Sequence, residues 1–219
     1  MISLLDVAKW FGHLVIPPVC VGCGRNAVAN HSLCQVCWNR ATECTSNPET
    51  PAGLDAIVCG PLLDDATRSL VHGLKYHGFR VAARDLVELA RPSVPSNFCP
   101  SDSVLVPVPI HPHRRRERGY NQSAELAKHW SRILDLPVLD DAMVRIVDTQ
   151  TQTRLDSDQR RSNLEQAFQT GRSFRPDRPV VLVDDVLTTG ATLSACAAAL
   201  LLGGAPSVRA LCAAWAGEA

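Results

Sequence analysis

The chain has no excess of charge of either sign. Its 22 Lys+Arg match 22 Asp+Glu, which argues against a protein whose whole surface is built for nucleic acid or anionic membrane and leaves local patches open. It also lacks a run that would span a bilayer. Met1–Ile16 is broken by Asp6, Lys9 and His13, without a basic leader or a small-residue cleavage site, and Leu193–Ala205 is Ala-rich, short and ends in Gly203-Gly204. A cytoplasmic protein with no membrane span is expected. No internal repeat is present, and nine cysteines, an odd number, speak against a disulfide framework and for metal binding or plain burial. What remains is 219 residues with 46% apolar content, enough for one ordinary domain with a real core and a small appendage.

Composition divides the chain into a head, residues 1–44, made of an N-terminal helix and a Cys-rich module, a polar joint, residues 45–53, and an alternating body, residues 54–219. The joint has two prolines, a glycine and no apolar period, as linkers do. In the body, Ala56–Leu63 reads as a buried strand. Asp65–Tyr76 reads as a helix with Leu70, Val71 and Leu74 on one face and Asp64 or Asp65 as cap. Phe79–Ala90 continues in helical spacing, Val104–Pro109 is a short strand stopped by its prolines, and Asn121–Leu134 is an amphipathic helix. Gln150–Gln169, polar and Gln-rich up to Ala167-Phe168, reads as a mobile loop leading into a short helix, followed by a strand at Val180–Val183, a helix at Ala191–Leu202 and a strand at Val208–Ala214. Strands alternating with helices imply an α/β fold, a mostly parallel sheet covered on both faces, with ligands beyond the carboxyl ends of the strands.

The stretch Val180-Val181-Leu182-Val183-Asp184-Asp185-Val186-Leu187-Thr188-Thr189-Gly190-Ala191-Thr192 carries the most chemistry. Main-chain N–H groups at a helix start, with threonine hydroxyls beside them, cradle a phosphate, and Gly190 lets the backbone approach closely. Asp184 and Asp185 cannot favour that phosphate. They suit neutral hydroxyls that donate hydrogen bonds, such as those of ribose. A sugar phosphate therefore fits, and the absence of a lysine in the turn excludes a Walker loop. This stretch resembles the 5-phosphoribosyl-1-diphosphate (PRPP) signature of type I phosphoribosyltransferases.

Upstream, Val106-Pro107-Val108-Pro109 is followed by Arg114-Arg115-Arg116-Glu117-Arg118-Gly119-Tyr120-Asn121-Gln122. These arginines lie after a strand end on the same edge as the phosphate turn, where bidentate contact with a diphosphate is useful. A solvated turn or a nucleic-acid patch is the other reading of such a charge run. The polar segment Arg145–Asn163, with Arg154, Arg160 and Arg161, reads as a lid over the ligand or as a solvated surface loop. Pro-Val-Pro, Arg-Gly-Tyr-Asn-Gln, the Arg/Thr/Gln segment and the phosphate turn, in that order, resemble the ComF/GntX family of phosphoribosyltransferase-like proteins, from about Pro18 to the last strand. The sequence departs from that family's pattern at Gln150-Thr151, where Thr-x-Pro-Gln is usual, and at Leu164–Phe168, which lacks Arg-Gly. Lys75-Tyr76-His77-Gly78 resembles the family's Lys-aromatic-x-Gly segment, which makes Lys75 a phosphate or acceptor contact; a solvated lysine at a helix end is the alternative.

Cys20-x-x-Cys23 and Cys34-x-x-Cys37 can place four thiolates around one structural zinc ion. Two independent redox or buried pairs are the competing reading, and the resemblance agrees with a zinc-ribbon-like module. Cys59, Cys196 and Cys212 read as small core residues, while Cys44 and Cys99 receive no role. Trp38 is expected to pack the head against the body.

The resemblance implies a type I phosphoribosyltransferase fold and transfer from PRPP, with magnesium, to an unknown nitrogen acceptor. In this scheme Asp184 and Asp185 hold the ribose, Thr188, Thr189, Gly190, Ala191 and Thr192 the 5′-phosphate, Arg114 and Arg118 the diphosphate, and Arg154 or Arg160 the closing lid. It also implies a role in competence and DNA uptake. A non-catalytic PRPP-binding adaptor that touches single-stranded DNA or partner proteins is the second reading.

Overall fold

The computed structural model describes residues 19–43, 48–147 and 167–217. The expected N-terminal helix, Cys44, and the segment with Arg154, Arg160 and Arg161 lie outside the described residues.

The elements in chain order are α1 (Gln35–Glu43), β1 (Ala56–Cys59), α2 (Asp65–Tyr76), α3 (Val81–Ala90), a short 3₁₀ turn (Arg91–Ser93), β2 (Val104–Pro107), α4 (Pro112–Arg118), α5 (Gln122–Leu134), β3 (Met143–Arg145), β4 (Phe168–Thr170), β5 (Val180–Leu187), α6 (Ala191–Leu202) and β6 (Val208–Trp215). A four-stranded sheet runs in the order β1-β6-β5-β2, every pair parallel. Parallel pairing forces each connection to cross over a face, and the side-chain period of two then sorts the strands. On β5, Val181 and Val183 join the core under α2, α3 and α5, whereas Val180 and Leu182 join the core under α6.

Local chemistry explains the element ends. The Asp64 carboxylate accepts from the Thr67 N–H at 2.8 Å and starts α2, burying Leu70, Val71 and Leu74. Gly78, at φ +65°, takes the chain out of that helix. Asn121 caps α5 by accepting from the Ser123 N–H at 3.1 Å. No helix among the described residues is long and apolar enough to cross a membrane.

The structure differs from the sequence reading in several details, and β1 ends at Cys59 short of Leu63. β5 does not stop at Val183; pairing of Asp184 with Cys212, Val186 with Ala214 and Leu187 with Trp215 carries the ladder through both acids. Ala167-Phe168 does not begin a helix, because Phe168–Thr170 pairs antiparallel with Met143–Arg145, burying Phe168 and Met143. Pro112–Arg118 is a helix, with Pro112 at its first turn and Gly119 at φ +79° ending it.

The head sits on the body. Cys20, Leu33, Cys34 and Ala41 belong to the same core as α2, α3 and α5, with Trp38 packed against it as expected. Asp85 of α3, fully buried, accepts from the Ser32 N–H at 2.6 Å and from Arg84 at 3.0 Å, and meets His31 Nδ1 at 3.1 Å. A buried carboxylate is tolerated only where donors surround it, so these contacts fix the head's orientation. Residues 48–53, read as a linker, lie along α6: a Cβ on Gly53 would meet Ala197 at 3.3 Å and one on Gly190 would meet Pro51 at 2.6 Å.

Candidate functional site

The carboxyl ends of β2 and β5 are neighbours, with Pro107 opposite Val183, so the segments after both strands open on one edge. Asp184 is half-buried and Asp185 only 5% exposed. The Asp184 Oδ1 accepts from the Ser123 hydroxyl at 3.1 Å and from the Asp185 N–H at 2.9 Å. Burial, then the adjacent Asp185 charge, push Asp184 up to about 7, against opposing help from the Asp185 N–H, Lys75 and Ser123. Lys75 Nζ lies 3.1 Å from Asp185 Oδ2, yet no hydrogen bond is aligned on that oxygen among the described residues. The pair is held by charge, and the oxygen is buried with hydrogen-bonding capacity unused.

Beyond the acids, Thr188 and Thr189 are exposed, and Gly190, at φ +75°, opens α6 with no side-chain cap. The first-turn N–H groups at Ala191 and Thr192 thus lie at a helix start, the position that suits an anion. Pro51 covers the other side of Gly190, which leaves no space for a side chain there.

α4 sets the arginines apart from one another. Arg114 and Arg118 are half-buried and, with Lys75, Tyr76, Gly78 and Glu117, line a cavity of about 340 Å³; Arg115 and Arg116 are exposed and take no part in that lining. The Arg118 guanidinium donates to Gln122 and lies 5.4 Å from the centre of the Tyr76 ring. The Tyr120 hydroxyl donates to the Leu74 carbonyl, pinning the end of α2, and so Lys75, beside α4. Of the residues singled out from sequence, the structure thus brings Lys75, Asp184 and Asp185 together and sets Arg114 and Arg118 around the same lysine. Ser123 was missed: its hydroxyl reaches an acid sixty-one positions away, for which the chain carries no local signal.

At the head, the Sγ atoms of Cys20, Cys23, Cys34 and Cys37 all lie within 4.8 Å of one another, and Cys23 and Cys34 are 3.6 Å apart. A tetrahedral zinc with bonds of about 2.3 Å separates its sulfurs by roughly 3.8 Å, so the four thiols fit a zinc ion. The Cys37 backbone N–H holds the Cys34 thiol down to about 7, whereas burial and the neighbouring thiols push Cys37 up. Gly22 packs on Ala66 of α2, where a Cβ would stand 3.0 Å away. Cys59, Cys196 and Cys212 are buried in the sheet and α6, as expected, and burial pushes the half-buried Cys99 up to about 11.

An α/β protein with a parallel sheet, an acid pair and a Thr-Thr-Gly turn at its carboxyl edge, and a four-cysteine head is the class these features define. Comparison with known proteins narrows it. The chain is 30% identical to DNA utilization protein YhgH of Escherichia coli O157:H7 over 202 residues, 89% of this chain and 88% of that protein. It is 39% identical to Competence protein F of Haemophilus influenzae over 117 residues, 52% of this chain and about half, 51%, of that protein. It is 33% identical to Competence protein ComFC of Bacillus subtilis over 98 residues, 45% of this chain and 38% of that protein. No protein-family model matches. The chain belongs to the ComF family.

Proposed function

We propose that the chain binds PRPP and transfers its phosphoribosyl group to a nitrogen nucleophile, releasing diphosphate. The observation that carries this reading is the convergence of the acid pair, the start of α6 and the cavity of Lys75, Arg114 and Arg118 on one sheet edge. The bond from ribose C1 to diphosphate breaks and a bond from C1 to nitrogen forms, through an oxocarbenium-like transition state that needs no protein nucleophile. Asp184 and Asp185 accept the ribose hydroxyls, and Thr188, Thr189, Gly190, Ala191 and Thr192 cradle the 5′-phosphate. Arg114, Arg118 and Lys75 take up charge on the diphosphate, where fixed cations act most strongly as the leaving group ionises. The lid assigned to Arg154 and Arg160 stays part of the proposal. Magnesium enters with the ligand, held by diphosphate oxygens and water; among the described residues the cysteine cluster is the only group of three or more side chains set for a metal.

Isothermal titration with PRPP and magnesium, followed by diphosphate release against a panel of bases and amines, tests the proposal. Saturable binding and turnover are expected; no binding overturns it, and binding without turnover leaves the non-catalytic adaptor.

The names of the relatives support a place in competence and DNA utilization. One observation favours contact with single-stranded DNA. A groove of about 660 Å³ between the head and α2 is walled by Val21, Phe79 and Arg68, with His72 and His77 among its lining. The His72 ring stands 4.8 Å from the Tyr76 ring and 5.0 Å from the His77 ring. Rings beside a cation suit stacked bases. Binding of a fluorescent oligothymidine is expected to weaken steeply with salt and to fall several-fold with Arg68→Ala plus His72→Ala; salt-independent binding or an unaffected variant removes this contact.

A further inference from the structure

A closed circuit of hydrogen bonds joins the segment after β2 to the acid pair. The Val108 N–H donates to the Val183 carbonyl at 2.9 Å. The Val108 carbonyl accepts from Asn121 Nδ2 at 3.0 Å, and Asn121 Oδ1 accepts from the Ser123 N–H at 3.1 Å. The Ser123 hydroxyl then donates to Asp184 Oδ1 at 3.1 Å, returning to the residue after Val183. Ser123 is fully buried, so its hydroxyl has no water to fall back on, and a donor fixed on a carboxylate favours the ionised form.

We infer that Asn121 and Ser123 are positioning residues, a relay that holds the Asp184 carboxylate in one orientation and in fixed register with the backbone after β2. Asn121 does this while also capping α5, so a single side chain sets the start of the helix and the spacing between the two halves of the site. The relay's consequence for PRPP rests on the function proposed above; its effect on Asp184 does not. Asp185 on the same strand, Lys75 from α2, Cys196 from α6 and Cys212 from β6 are the other groups whose charge couples to Asp184. Arg145 of β3 acts on Cys196. None of these is altered by a change at Ser123, and Ser123 is the only one of the helpers that is neutral and removable without changing the net charge.

The test is ¹³C-carboxyl NMR of Asp184 in the free, zinc-loaded full chain, together with the pH profile of PRPP affinity. Ser123→Ala is expected to raise the Asp184 midpoint above the wild-type value of about 7 by about one pH unit, and to displace the PRPP profile to higher pH by the same amount. Should the alanine variant fold poorly, Ser123→Cys keeps the side chain's shape in a slightly larger form with a weaker donor and is expected to give a smaller shift in the same direction. Coincident Asp184 midpoints in wild type and a folded variant overturn the relay. A shifted midpoint in a chain that binds no PRPP upholds the relay and sinks the proposed ligand instead.

Discussion

Cys20→Ser combined with Cys34→Ser is expected to abolish zinc retention after dialysis and to lower the thermal midpoint of the entire chain. A small head has too little core of its own, so the energy of metal binding, about 10–16 kcal/mol for comparable sites, is largely its folding energy. Here the loss does not stay in the head. Leu33, Cys34, Cys20 and Ala41 pack into the core beneath α2, α3 and α5, and unfolding them uncovers that apolar face and strips the buried Asp85 of the Ser32 and His31 contacts. Stripping a carboxylate that then keeps only Arg84 of its donors costs about 1–3 kcal/mol. For a chain of this size each kcal/mol moves the midpoint by about 2–4 °C, so a fall on the order of 10 °C is expected. Calorimetry and metal analysis check it. Zinc still bound at one ion per chain in the double variant would rule out the four-thiolate site, and a midpoint within a degree or two of wild type would rule out the shared core.

The second large effect concerns Asp184. Its folded value of about 7 stands above the ordinary 3.8, so the folded state binds the proton more tightly than the unfolded state. The stability associated with that proton is present below about pH 4 and is lost as pH rises towards 7. Asp184→Asn removes the ionisation that burial and Asp185 oppose. The variant is expected to match wild type near pH 4 and to exceed it at pH 8 by about 1–3 kcal/mol, read by urea unfolding. Under the proposed function, the same change is expected to weaken PRPP binding a hundredfold or more, and further in combination with Asp185→Asn. A variant that gains stability and keeps its affinity shows the acid to be strained for no ligand, and the ribose assignment fails. A variant that loses stability at pH 8 shows that Asp184 is not destabilised by its surroundings at all. Gains in stability at the expense of binding are expected where a site holds like charges together.

Much of this was legible in the order of residues. Asp64 before a helical period, an apolar run at Val180–Val183 and the Thr-Thr-Gly turn each carry their own local physics, and the elements begin close to where those signals place them. The paired Cys-x-x-Cys turns likewise brought four sulfurs together. What could not be read depended on partners distant in the chain. β5 runs on through Asp184 and Asp185 because β6 lies alongside. Phe168–Thr170 is a strand because Met143–Arg145 pairs with it. The arginine run looks uniform in sequence, yet a two-turn helix directs Arg114 and Arg118 to the Lys75 cavity and Arg115 and Arg116 to solvent. Asp85 lies in a stretch whose spacing says only that it is helical; nothing near it announces that residues of the head will surround it.

That last contact limits how the chain could have been assembled over evolutionary time. A metal-binding segment tethered by a free hinge can be lost, duplicated or exchanged between genes with little effect on the domain beside it. A segment whose inner surface completes its neighbour's interior, and whose connecting residues at Pro51 and Gly53 rest against α6, cannot be traded without altering the neighbour too. Head and body should therefore be inherited as one unit, with substitutions at Ser32, Leu33, Ala66 and Asp85 constrained by each other more than by sequence proximity.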